Sequence, residues 1–178
     1  MSSKLSMAVG VALVALMITP ATTASAADDD RLRAAFVLNL AKYVAWPDSV
    51  FADGDAPLVI GVIEDAGFRA RLAESFAGKQ VGTRGVEVRD VVDVADARNC
   101  HLVYGGREAR TTARSLALEL RGAPVLSVAE YDRFAHVGGT VAFEIRQGKI
   151  SFEISRSSAD RGGLKVSSKL LRLATAVR

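Results

Sequence analysis

Two histidines, His101 and His136, and a single cysteine, Cys100, are the side chains of this chain best suited to metal or nucleophilic chemistry. Neither H-x-x-x-H nor C-x-x-C spacing occurs, so the sequence offers no recurring metal-ligand pattern. Cys100 and His101 are adjacent on an expected strand, which points their side chains to opposite faces and prevents a thiolate–imidazole dyad between them. A pairing of Cys100 with His136 remains geometrically open. No G-x-S-x-G occurs, and neither histidine has a serine and an acid at diagnostic spacing. Gly105-Gly106 precedes an expected helix and could free backbone N–H groups for an anion, but two glycines there are far more often just a βα turn, and they make neither G-x-G-x-x-G nor a P-loop. Glu144 and Glu153 lie on two strands of an expected hairpin, either as a carboxylate pair or on a solvated face. None of these groupings supports catalysis, and no cofactor is expected.

The elements that would carry these residues follow from hydropathy. Arg31 to Ala45 has helical rhythm and Pro47 ends it; Leu32, Phe36, Asn39 and Tyr43 share one stripe, with Trp46 close behind. Asn39 then sits amid apolar neighbours, where its amide needs either a loop backbone partner or a role in a binding cleft. Leu58 to Ile63 is a near-continuous apolar run, the mark of a strand covered on both faces. Ala66 to Phe76 reads as a helix closed by Gly78, and Val86 to Val91 as an alternating strand near an edge. His101 to Tyr104 is a short buried strand, and Cys100 is expected to be packed beside it. The helix Arg107 to Leu120 and the strand Val125 to Val128 follow. Alternation of strand and helix predicts a mostly parallel sheet. Thr140 to Ile145 and Lys149 to Ile154, joined by Gln147-Gly148, predict an antiparallel hairpin. Ser157 and Asp160 resemble a capping box for a short helix stopped at Gly162-Gly163, and a last helix is expected over Ser167 to Val177. The fold class is therefore α/β, a single-domain three-layer sandwich.

The ends and the charge set the compartment and exclude one class of partner. Lys4, the uncharged run Met7 to Ile18, Pro20 and Ala24-Ser25-Ala26 describe a cleaved signal peptide over residues 1–26. The domain would then be residues 27–178, exported from the cytoplasm. The chain has 23 Lys and Arg against 20 Asp and Glu, interleaved rather than clustered, which excludes a nucleic-acid partner. One cysteine cannot form a disulfide within the chain.

Arg33 to Pro47 (RAAFVLNLAKYVAWP) resembles the opening helix of the YfiR family of periplasmic proteins. Further matching segments follow in order: Ile60-Gly61-Val62, Cys100 to Tyr104, Val125 to Val128, Phe134 with Gly138-Gly139, Lys149 to Ile154, and Gly163 to Leu171. The resemblance implies a compact α/β sandwich similar to one lobe of a periplasmic binding protein. It implies a non-enzymatic repressor that binds the periplasmic sensor region of an inner-membrane diguanylate cyclase, restraining cyclic-di-GMP signalling and biofilm formation. It also implies an outer-membrane lipoprotein that sequesters the repressor, and it leaves a homodimer open. Carried onto the first helix, it marks Asn39, Lys42 and Trp46 as partner- or ligand-binding residues, expected near one another at the helix end. The alternative is a module that binds a small ligand for another membrane receptor or sensor kinase. Two departures stand out. Ser155 replaces the Asn usual in the family after Ile154, and only Cys100 occupies a familiar cysteine position, so paired-cysteine redox control is not expected.

Overall fold

The computed structural model describes residues 22–178, with side chains from Ala26 onward. In chain order the elements are α1 (Thr22–Tyr43), β1 (Val44–Ala45), β2 (Leu58–Ile63), α2 (Ala66–Phe76), β3 (Gln80–Val81) and β4 (Arg84–Val91). Then come α3 (Val94–Arg98), β5 (Leu102–Gly105), α4 (Arg110–Glu119), β6 (Leu126–Ala129), β7 (Val141–Arg146) and β8 (Lys149–Ile154). The chain closes with α5 (Arg156–Arg161), β9 (Lys165–Val166), α6 (Ser168–Leu173) and β10 (Ala176–Val177). Short 3₁₀ turns lie at Asp48–Val50 and Phe134–His136.

Eight strands form one sheet in the order β10-β8-β7-β6-β5-β2-β4-β3. The pairs β4–β2, β2–β5, β5–β6 and β6–β7 are parallel, whereas β7–β8 is the expected antiparallel hairpin. Alternating residues of the central strands feed two cores. Ile60, Val62, Leu102, Tyr104, Leu126 and Val128 pack against α1 and α2, and Val59, Ile63, Val103 and Ala129 pack against α3 and α4. All six residues of β2 are buried, as an apolar run between two helical layers requires. The strand order reverses between β2 and β5, because the chain leaves β2 for β4 on one side and then crosses back to β5 on the other.

Some expected boundaries shift, each for a local reason. The helix expected from Arg31 begins at Thr22, because the Ala-rich stretch before Asp28 favours helix and continues it backward. The expected leader, residues 1–26, lies mostly outside the described residues. The same helix ends at Tyr43 rather than before Pro47. Val44 and Ala45 instead pair antiparallel with Val166 and Lys165, and the Ser167 N–H donates to the Tyr43 carbonyl at 2.9 Å. The final helix stops at Leu173 because the edge of β8 offers open backbone groups. Thr175 and Arg178 donate to the Phe152 and Ile154 carbonyls at 2.8 and 2.9 Å, and β10 forms there. The cap of α5 is Ser155, whose Oγ accepts the Ser158 N–H at 3.2 Å, so Ser157 is not the capping residue.

Candidate functional site

Side chains gather at the carboxyl ends of the parallel strands. Glu130 directly follows β6, and its backbone N–H donates to the Gly105 carbonyl at 3.0 Å, which fixes it beside the end of β5. Its side chain is only 2% exposed, and a buried carboxylate is stable only when paired. Two arginines supply the pairing. Arg33 of α1 donates from Nε to Glu130 Oε2 at 2.7 Å, and the Arg107 guanidinium forms an ion pair with Glu130, Nε to Oε1 at 2.9 Å. Arg33 Nη1 also donates to Asp30 Oδ1 at 2.8 Å, and Asp30 Oδ2 pairs with Arg71 of α2 at 3.0 Å. The network thus ties α1 and α2 to the ends of β5 and β6. Burial works against the Arg33 charge, but the hydrogen bond and charge of Glu130 outweigh it and hold the guanidinium pKa above its ordinary value.

A cleft of about 330 Å³ opens beside this network, lined in part by Arg33, Asp65, Tyr104, Gly106, Arg107 and Glu130. It sits where the strand order reverses, the place where open α/β sheets bind ligands. Tyr104 is fully buried, and its hydroxyl has no hydrogen-bond partner among the described residues. Burial, followed by the nearby Glu130 charge, raises the phenol pKa, so the hydroxyl stays protonated. On the far wall, Asp65 caps α2 by accepting the Phe68 N–H at 2.8 Å. Glu64 has a left-handed backbone (φ 52°) and accepts the Thr112 hydroxyl at 2.8 Å. A second cleft, of about 280 Å³, shares Arg107 and Glu130 and reaches Arg110, Asp132, Glu144 and Arg146.

The residues singled out from the sequence lie elsewhere. Asn39 is exposed, which corrects the expectation that its amide sits in an apolar stripe. The buried arc of α1 runs through Phe36, Val37, Leu40 and Ala41, rotated away from Asn39 because α1 packs at once on the sheet and on α2. Lys42 is exposed one turn further on. Trp46 turns inward instead, donating from Nε1 to the His101 carbonyl at 2.9 Å and meeting the His101 ring edge-on at 6.4 Å. Asn39 and Lys42 therefore share an exposed helix surface, whereas Trp46 leaves it.

His101 works as a sheet component. Its N–H donates to the Val59 carbonyl at 2.8 Å, and its Nδ1 accepts the Val59 N–H at 2.9 Å. That bond fixes the tautomer with the proton on Nε2. Phe51 stacks on the ring at 4.4 Å and Arg84 covers Phe51 at 3.8 Å. Burial, with Arg84 and Arg89 adding to it, lowers the imidazole pKa, although the Val50 backbone opposes the shift. Cys100 is buried in the second core, as expected, and burial pushes its thiol up to about 11. Its Sγ donates to the Asp96 carbonyl at 3.3 Å, while His136 pairs with Glu153 at 3.1 Å, so each of the two is engaged elsewhere. Glu144 and Glu153 do not face each other: Glu144 stands opposite Ser151 and Glu153 opposite Ala142. Among the described residues no group of three or more His, Cys, Asp and Glu is placed to hold a metal ion, and no helix is long and apolar enough to cross a membrane.

Sequence reasoning reached Gly105-Gly106 but missed Glu130, Arg107, Arg33 and Tyr104 as a group. A signal was available: Glu64-Asp65, Gly106-Arg107 and Glu130 each follow directly on an apolar strand, where a parallel sheet presents its binding edge.

These features define a doubly wound α/β domain with a polar cleft at its switch point. Residues 30–175 match the YfiR/HmsC-like family model, and the chain belongs to that family. Among solved structures, the chain is similar to a conserved domain protein from Vibrio cholerae, at 13% identity and a TM-score of 0.50, covering 68% of this chain and 55% of that one. It also aligns with an ABC domain from Streptococcus pneumonia in complex with L-Trp, at 12% identity and a TM-score of 0.48, covering 67% of this chain and 56% of that one. The chain thus spans little more than half the length of either protein.

Proposed function

We propose that this chain is a periplasmic regulatory protein that represses an inner-membrane diguanylate cyclase by binding its periplasmic sensor region. The observation that carries this reading is membership of the YfiR/HmsC-like family across residues 30–175. The domain acts by binding and not by turnover, after export and loss of residues 1–26. Repression of this kind is a population shift: the repressor binds the inactive sensor more tightly than the active one, and about 2.7 kcal/mol of difference gives a hundredfold effect. Asn39 and Lys42 are the proposed partner contacts, since both are exposed and one turn apart on α1. Trp46 contributes by holding the end of that helix against His101.

Deleting the gene should raise cyclic-di-GMP and surface attachment, and a second deletion of the partner cyclase should reverse both. Unchanged cyclic-di-GMP in the single deletion, with the protein normally expressed, rejects the reading and favours a ligand-binding module serving another receptor. Lys42→Glu tests the surface separately: captured cyclase should fall while thermal stability holds, and undiminished capture removes Lys42 from the interface.

A further inference from the structure

Tyr104 and the start of α4 point to a ligand that the repressor reading does not require. The Tyr104 side chain is fully buried, lines the switch-point cleft, and has a hydroxyl without a partner among the described residues. Buried polar groups in native proteins are overwhelmingly satisfied, so an orphaned phenol at a cleft floor marks a place where something else bonds. Immediately after it, Gly106 to Ala109 lead into α4, whose N-terminus no side chain caps. Among the described residues, none of these four backbone N–H groups donates to another backbone group. They carry the positive end of the helix dipole toward the cleft. Arg107 stands with them; its Nε is paired with Glu130 and its Nη2 donates to the Ile145 carbonyl at 3.4 Å, yet the side chain is 60% exposed. Gly106 keeps the approach open, since a Cβ there would stand 3.7 Å from Asp65 Oδ2 and 3.9 Å from the Tyr104 hydroxyl.

The opposite wall accepts hydrogen bonds. Asp65 uses Oδ1 on Phe68 and Glu64 uses Oε1 on Thr112, and the second oxygen of each makes no hydrogen bond among the described residues. Four carboxylates (Glu64, Asp65, Glu108 and Glu130) line the cleft against two guanidiniums, Arg33 and Arg107. A ligand with one negative charge finds a donor cluster there, whereas a second negative charge meets the carboxylates. Hydroxyl groups match the free carboxylate oxygens, because each can donate one hydrogen bond without adding charge.

We propose that the cleft binds a small hydroxylated monocarboxylate. Its carboxylate is held by the Tyr104 hydroxyl, the backbone N–H groups of Gly106 to Ala109 and Arg107, and its hydroxyls donate to Asp65 and Glu64. The site does not depend on which membrane protein the chain regulates.

Titration calorimetry and thermal unfolding of the purified protein test this with glycolate, D-gluconate and D-glucuronate, against D-glucose and inorganic phosphate. At least one hydroxycarboxylate should bind and raise Tm, about tenfold more tightly than glucose or phosphate. Tyr104→Phe and Gly106→Ala should each weaken that binding about tenfold while leaving the Tm of the ligand-free protein unchanged or higher. The proposal fails if none of the three carboxylates binds at about 10 mM, if phosphate or glucose binds as well, or if both variants retain full affinity. Should Tyr104→Phe fold poorly, Gly106→Ala decides alone, because its methyl group occupies the cleft without a backbone clash.

Discussion

Two aromatic side chains three residues apart, His101 and Tyr104, mark the two ends of one strand and have opposite fates. At the amino end, His101 is closed in: Val59 bonds its Nδ1, Phe51 stacks on its ring, and the Trp46 indole seals its carbonyl. At the carboxyl end, Tyr104 is buried more deeply still, but among the described residues its hydroxyl is unpaired, at the floor of a cleft whose charges are held in place by Arg33, Arg107 and Glu130. Burial by itself therefore does not separate scaffold from site. What separates them is whether the protein completes the hydrogen bonds of the buried group. At the amino end it does, and the residues there hold the fold. At the carboxyl end the charges are paired and one buried polar atom is left for a visitor.

The strongest way to break this contrast is to unpin the carboxyl end. Glu130→Ala leaves Arg33 partly buried beside a lost partner, and should cost about 3 kcal/mol in urea unfolding. A loss under about 1 kcal/mol would show that the two arginines find solvent or Asp30 instead.

The next effect compares two glycines. At Gly61, in the middle of β2, a Cβ would collide with the Val91 side chain and stand 2.8 Å from Cys100 Sγ. Gly61→Ala should therefore destabilise by about 2 kcal/mol through overpacking. Gly106→Ala, at the open end, should leave stability nearly unchanged. Equal losses would mean that the cleft is packed as tightly as the core.

Trp46→Phe keeps much of the apolar bulk and removes only the indole N–H to His101. It should cost about 1 kcal/mol in chemical unfolding. A neutral result would place Trp46 among surface side chains and reopen it as a partner contact.

The smallest expected effect is on the acid side. Burial depresses the folded-state pKa of His101, so the unfolded chain binds its proton more readily. This contribution is present above the unfolded value of about 6.5 and is lost as pH falls through the lower folded value. His101→Asn retains an acceptor for the Val59 N–H and cannot titrate, so it should flatten the fall in stability below that pH. An unaltered pH profile would show that carboxylates alone govern acid unfolding.

The order of elements was legible in the sequence because burial on both faces leaves a local trace. The run Leu58 to Ile63 and the alternation around Gln147-Gly148 need no tertiary information to be read as a central strand and a hairpin. Residue types likewise excluded metal and nucleophile motifs by spacing, and the segments from Arg33 to Leu171 placed the chain in its family. Only the tertiary structure decided which side of α1 faces inward. A helix packed on both a sheet and a second helix buries a broader arc than one stripe, so Asn39 emerged while Ala34, Val37 and Ala41 did not. It alone assembled the cleft. Arg33, Tyr104, Arg107 and Glu130 are spread along much of the chain, and they meet because the strand order reverses between β2 and β5. That reversal is a property of long-range pairing, which no local pattern encodes. The unpaired state of the Tyr104 hydroxyl depends on it as well, because a missing hydrogen bond exists only once every neighbour has been placed.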